Sequence, residues 1–235
     1  MSHYRDLLSP LRAAVDDYEM IRDGDRVAVG VSGGKDSVAL LTLLAQLRRF
    51  YPARFSLTAI TLDPSFDGEE DYTALAALCE RLEVPYVMKR TQLWETVRHE
   101  ENPCSLCARM RRGTLHRVAL EEGCNVVALG HHQDDAAETL LMNLLSGATC
   151  ECFSPKSYLD RRGITLIRPL IYIKEAELTA FVRREGLPTV KSQCPMDGCT
   201  ARQDTKELIA TLSKTYGDVN HKLTAALKKG HISGW

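Results

Sequence analysis

The stretch RVAVGVSGGKDS, residues 26–37, decides how the chain folds. Its first half is a near-continuous apolar run bounded by Gly24-Asp25 and Ser32-Gly33-Gly34, the pattern of a strand buried on both faces of a parallel sheet. Its second half passes into a helical stretch at 36–49, so backbone N–H groups and the positive end of the helix dipole converge just beyond the strand. Paired glycines let an anion approach the backbone, while Ser32, Ser37 and Lys35 add hydroxyl donors and a positive charge. The turn therefore reads as a phosphate loop. It is not a Walker loop, because the glycine spacing differs and Asp36 follows the lysine where Ser or Thr is required. A plain capped strand-to-helix turn is the alternative, and it gives Lys35 no task.

Working outward, strands are expected near 56–62, 86–88, 125–129 and 165–167, alternating with helices near 69–82, 134–145 and 174–185. Strand alternating with helix predicts a doubly wound, mostly parallel α/β sheet with right-handed crossovers. Ser9-Pro10 reads as the start of a leading helix to about residue 21, and helices are expected from about residue 202 onward. The expected organisation is an N-terminal helix (1–24), a nucleotide-binding α/β domain (25–185) and a C-terminal cysteine loop with helices (186–235).

The chain has 235 residues, 44% hydrophobic and 26% charged, which excludes a disordered or collagenous protein. A chain of this length buries roughly 70–75% of its unfolded surface and needs no metal as a structural staple. No apolar run approaches the roughly 18–20 residues that span a bilayer, and Arg5 and Asp6 interrupt the opening segment, so a soluble, cytoplasmic protein without membrane association is expected. The net charge of −1 excludes inferring nucleic-acid binding from the total. A local patch is present: residues 102–120 hold Arg109, Arg111, Arg112 and Arg117 and no carboxylate.

A second motif, Gly130-His131-His132-Gln133-Asp134-Asp135, follows another buried strand and should open onto the same sheet edge. Asp134 and Asp135 are suited to holding Mg2+ or a transferring proton, against the alternative of acidic residues offsetting a helix dipole. Eight cysteines in a chain of this kind point to reduced thiols, metal ligands or redox chemistry. Cys104-Ser105-Leu106-Cys107, expected in a loop opened by Pro103, allows zinc, an iron–sulfur cluster or a redox disulfide. Cys194 and Cys199 form a late pair; four thiolates make a closed zinc site, whereas three leave one iron of a cubane without a protein ligand. Cys79 and Cys124 read as core thiols, and Cys150 and Cys152 as loop thiols for which a sulfur relay is conceivable.

SGGKDS after an apolar strand resembles the signature of the PP-loop, or N-type, ATP pyrophosphatase superfamily. CSLCARMRRG, LGHHQDDAAETLLMNLLSG, RPL and the late cysteine loop resemble the cluster-dependent tRNA 2-thiocytidine synthetase family across residues 26–210. The resemblance implies ATP at the carboxyl ends of the strands, contacted by Ser32, Gly33, Gly34, Lys35, Asp36, Ser37, Leu62, Asp63, Gly130 and His131. It also implies a [4Fe-4S] cluster on Cys104, Cys107 and Cys194, and Arg111 stabilising charge beside it. The implied reaction adenylates the C2 oxygen of an anticodon-loop cytidine and replaces it with sulfur delivered by the cluster. The implied partners are tRNA, a sulfur donor (sulfide or a cysteine desulfurase-derived persulfide) and a second copy of the chain in a homodimer. Cys199 and the spacing around Cys194 depart from the family pattern and keep zinc open. Two other readings stand beside this one: a related enzyme thiolating uridine or a non-RNA acceptor, and a nucleotide-binding iron–sulfur or zinc redox regulator.

Overall fold

The computed structural model describes residues 4–66, 70–100, 103–191, 193–195 and 201–235. Six strands form one sheet: β1 Arg26–Gly30, β2 Ser56–Asp63, β3 Tyr86–Arg90, β4 Val126–Ala128, β5 Lys156–Leu159 and β6 Ile164–Ile167, in the order β3-β2-β1-β4-β6-β5. All neighbours are parallel except β5, which pairs antiparallel with β6 at the edge. The strand order runs outward in both directions from β1, so the crevice beyond the carboxyl ends of β1 and β4 is the topological switch point, where such sheets bind ligands.

Alternation along the strands sorts side chains onto two helix layers. Val27, Val29, Ala59, Val126 and Ala128 face a core shared with α1 Arg5–Asp17, α2 Lys35–Leu47, α3 Thr73–Arg81, α6 Gln133–Gly147 and α7 Glu175–Arg184. Ala28, Ile60, Val127 and Leu166 face the other way, onto Leu115, Val118 and Ala119 of α5 Pro103–Glu121, which α4 Leu93–Val97 precedes. The C-terminal helices α8 Ala201–Tyr216 and α9 Val219–Lys229 form an outer layer on α6, where Ala137, Ile209 and Val219 are buried together.

Several expected boundaries move. The leading helix begins a turn before Ser9 and carries Pro10 inside it, because Leu7 is buried and Tyr4 meets Phe181 edge-on at 5.5 Å. That apolar face outweighs the capping signal. The CxxC motif lies in the first turns of α5 rather than in a loop, with Pro103 at the position where a missing N–H costs nothing.

Candidate functional site

The phosphate loop is built from its own side chains. Ser37 Oγ donates to the Gly34 carbonyl at 2.8 Å and accepts from the Ser32 N–H at 3.2 Å, which fixes the turn between β1 and α2. Gly33 has φ +85°, and a Cβ there would stand 2.7 Å from Val190 Cβ, so only glycine fits. The Val190 N–H donates to the Gly33 carbonyl at 2.9 Å, and this bond ties the stem of the late cysteine segment to the loop. Gly130 permits a comparable approach: a Cβ would come within 3.2 Å of the Asp36 and Ser37 backbone.

Lys35 Nζ is 3.0 Å from Asp36 Oδ2 and 2.9 Å from Glu175 Oε1. Glu175 also receives Lys206 Nζ at 2.5 Å. Burial alone would raise the Glu175 carboxyl, but Lys206 and Lys35 hold it at about 2. Burial likewise favours neutral Lys35, and the two carboxylates overcome it and raise its pKa. A phosphate at the turn would compete with Asp36 and Glu175 for Lys35.

Asp134 and Asp135 are engaged by protein donors. Asp134 Oδ2 accepts from the Glu175 N–H at 2.7 Å and Oδ1 from Asn220 Nδ2 at 2.6 Å, so this carboxylate ties α6 to the starts of α7 and α9. Asp135 Oδ2 accepts from the His132 N–H at 3.0 Å while His132 Nδ1 accepts from the Asp135 N–H at 3.4 Å, a reciprocal cap on α6. The helix-end role weighed against magnesium is thus the one the geometry displays. Asp36 Oδ1, at the loop itself, is buried and has no hydrogen-bond partner among the described residues.

Two connected cavities open at the switch point. The larger, about 380 Å³, is walled by Gly30, Val31, Ile60, Leu62 and Leu129, with His131, Arg111 and Arg112 at its polar margin. His131 stacks on Phe153 at 4.9 Å, and Arg168 of the RPL triplet covers the same ring, also at 4.9 Å. Burial and nearby Arg112 lower the Arg168 pKa to about 10. Asp63 does not face this cavity freely: it accepts from the Ser65 N–H at 2.8 Å and from Arg90 Nε at 3.2 Å, closing the turn after β2. The smaller cavity, about 210 Å³, shares Ser32 and Arg111 with the first and is completed by Gly34, Pro64, Phe66, Glu70, Tyr72 and Val190.

The thiols stand on the far side of Arg111. Cys104 is exposed and Cys107 half-buried on α5, with Arg111 one turn further along. Burial raises the Cys107 thiol, the Arg111 guanidinium lowers it, and the Cys194 and Cys104 thiols raise it again. Cys104 and Cys194 therefore both lie within electrostatic reach of Cys107. Among the described residues no three His, Cys, Asp or Glu side chains converge on a single point as one ion would require. Three thiols are a donor set that an iron–sulfur cluster takes, and with a fourth thiolate they would equally suit zinc. Cys199 lies outside the described residues. Cys79 and Cys124 are core thiols as expected, with burial pushing Cys79 up to about 11. Cys152 Sγ is 3.5 Å from the Ala136 carbonyl, and Cys150 is exposed.

Glu70, Glu175, Lys206 and Asn220 escaped the sequence reading, since nothing in their spacing announces the partners they meet: Tyr72 and Gln193 for Glu70, Lys35 and Lys206 for Glu175, Asp134 for Asn220. Glu175 sits in a stretch, KEAE, whose pattern reads only as a helix start.

A glycine-built phosphate turn at the switch point of a parallel sheet defines a class, the nucleotide-binding α/β proteins. The chain belongs to the PP-loop domain family, whose model matches residues 6–197, and to the family of the tRNA-cytidine(32) 2-sulfurtransferases. It is 37% identical over 230 residues to the protein of that name from Geobacter sulfurreducens, covering 95% of this chain and 89% of that one. It is 40% identical over 220 residues to that from Syntrophotalea carbinolica, covering 91% and 85%. Among solved structures it is similar to the U34-tRNA thiolase NcsA from Methanococcus maripaludis with its [4Fe-4S] cluster, with TM-score 0.75 and 25% identity, covering 94% of this chain and 77% of that one. An NH3-dependent NAD synthetase from Campylobacter jejuni shares the fold, with TM-score 0.52 and 16% identity, covering 100% and 97%.

Proposed function

We propose that the chain is an ATP-dependent tRNA sulfurtransferase that converts an anticodon-loop cytidine to 2-thiocytidine. One observation carries the reading: two cavities that share Ser32 of the phosphate loop and Arg111 of α5 lie beside the helix whose first turns carry Cys104 and Cys107, with Cys194 within electrostatic reach of Cys107. The cytosine O2 attacks the α-phosphorus of ATP, the bond to the pyrophosphate oxygen breaks, a sulfur nucleophile then adds at C2, and AMP leaves with the former O2.

The apolar walls at Leu62 and Leu129 suit adenine, and the N–H groups of residues 32–37 suit the phosphates. Lys35 turns from Glu175 to the phosphates as they arrive, leaving Lys206 to neutralise Glu175. Asp36, whose Oδ1 is buried without a partner among the described residues, would be the protein carboxylate that holds a magnesium ion bridging the phosphates. Arg111, shared by both cavities, offsets charge on the oxygen leaving C2. Cys104, Cys107 and Cys194 would hold a [4Fe-4S] cluster, which when bound supplies an iron without a protein ligand as the sulfur site. Exposed Arg109 and Arg112 on α5 meet the tRNA backbone.

The test is anaerobic reconstitution with tRNA, magnesium, ATP and sodium sulfide, followed by nucleoside mass spectrometry. The expected product is 2-thiocytidine with one pyrophosphate released per base. Modified uridine in its place selects the uridine alternative. Cluster binding without pyrophosphate release selects the redox-regulator alternative.

A further inference from the structure

The smaller cavity has a wall that the reaction above leaves unused. Glu70 and Tyr72 line it together with the phosphate-loop residues Ser32 and Gly34 and with Arg111, and Phe66 adds an aromatic face. The Tyr72 hydroxyl donates to Glu70 Oε2, and the Gln193 N–H, next to Cys194, donates to Oε1 at 3.2 Å. These two bonds fix the carboxylate between the cavity and the cysteine segment, and each oxygen keeps a lone pair for a further donor. The Glu70 carboxylate repels an anion, so the phosphates belong at the phosphate loop and Arg111 rather than at Glu70. What suits the wall is a neutral, flat group that carries a hydrogen-bond donor and stacks on aromatic rings.

Resting on the function proposed above, we infer that this cavity receives the flipped target base and that Glu70 selects cytosine by accepting from its 4-amino group. Cytosine presents a donor at N4 where uracil presents an acceptor at O4, and a carboxylate accepts from the first and repels the second. The amine and O2 occupy opposite ends of the pyrimidine edge. With N4 at Glu70, O2 points across the cavity toward Ser32 and Gly34, where the α-phosphorus would lie. Phe66 and Tyr72 supply the stacking that offsets unstacking from the RNA. Selection and alignment then come from the same contact.

The experiment uses two full tRNA transcripts differing only in cytidine or uridine at position 32, with ATP, the cluster-loaded full-length protein and sulfide. The wild type should release pyrophosphate with the cytidine transcript and at least a hundred-fold less with the uridine one. Glu70→Gln keeps the shape but places an amide N–H at the wall. It should lose on the order of ten- to a hundred-fold in kcat/KM for cytidine and gain on uridine, narrowing the preference by both effects. Glu70→Asp keeps the charge but withdraws it, and should weaken cytidine turnover while keeping the preference. An unchanged cytidine-to-uridine ratio in folded Glu70→Gln overturns the inference and leaves the sulfurtransferase reading intact. If Glu70→Gln does not fold, an Asp variant with wild-type kcat/KM overturns it instead. Wild-type protein inactive on both transcripts overturns the function and the inference together.

Discussion

Lys35 illustrates how one residue carries two states. Without a nucleotide its charge is matched by Asp36 and Glu175, and a triphosphate offers a denser anion at the same turn. Lys35→Ala should abolish pyrophosphate release, because the lysine meets ligand rather than core. It should change thermal stability little, since half-exposed ion pairs contribute on the order of 0–1 kcal/mol. A variant that keeps wild-type turnover removes the phosphate role. Asp134 makes the opposite case. Asp134→Asn turns an amide toward one of two N–H donors, so a cost of about 1–3 kcal/mol is expected, read as a fall of roughly 2–12 °C in melting temperature. That fall should be the same with and without magnesium. A shift seen only in its magnesium dependence would return Asp134 to metal binding. The phosphate turn was legible because its groups are consecutive in sequence, as residues 32–37. The partners of Asp134 were not legible, because Glu175 lies 41 residues away and Asn220 lies 86.

Among the elements, α5 does most to join chemistry to fold. Its inner face is core, its outer face is basic, and its first turns carry two thiols. Arg117 pairs with Glu121 at 2.6 Å, just past the carboxylate-free stretch, so its charge is already matched. Replacing Arg109 and Arg112 with Gln should therefore reduce the salt-dependence slope of tRNA binding by roughly 1–2 units, and Arg117→Gln by less than either. Equal effects from all three would show a uniform solvated face. His116 on the inner face is 3% exposed, and its Nε2 has no partner among the described residues. Burial, aided by Arg162 and Arg112, lowers its pKa to about 4 from 6.5. Between those values the unfolded chain binds more protons than the folded one, so stability should fall as the pH drops from about 6.5 to about 4, by about 3 kcal/mol in all. Denaturant titrations across that window should give a shallower fall for His116→Leu than for wild type, and parallel curves would refute the assignment.

At this same scale most of the sheet was legible, since four strands buried on both faces announce themselves as apolar runs. The antiparallel edge strand β5 was not. KSYL mixes polar and apolar residues because only one side of an edge strand meets a neighbour. The helical setting of the CxxC motif escaped for a different reason. Cysteine spacing fixes which residues share a site, whereas the helix is set by its first-turn proline and its buried fourth and fifth turns.

For the whole molecule, the decisive feature is that the thiols come from distant parts of the chain. Cys104 and Cys107 ride on α5, packed against one face of the sheet, while Cys194 follows a stem clamped to the phosphate loop by Val190. A group held by all three would bind the folded chain and not the unfolded one, so loading should raise the melting temperature of the whole protein. Anaerobically prepared protein should be brown with about four irons per chain. Replacing Cys104, Cys107 or Cys194 with Ala should remove the iron and the thermal shift together. Cys199→Ala should retain both, and sulfide should perturb the visible spectrum by binding the iron that no protein thiolate occupies. A closed zinc site predicts the reverse: colourless protein with one zinc per chain, in which Cys199→Ala weakens binding as much as Cys194→Ala, because four thiolates share one tetrahedral ion. Zinc found in place of iron under strict anaerobiosis would sink the sulfur-transfer step and leave ATP binding at residues 32–37 standing, since the bonds among Ser32, Gly34 and Ser37 that fix the phosphate turn involve no thiol.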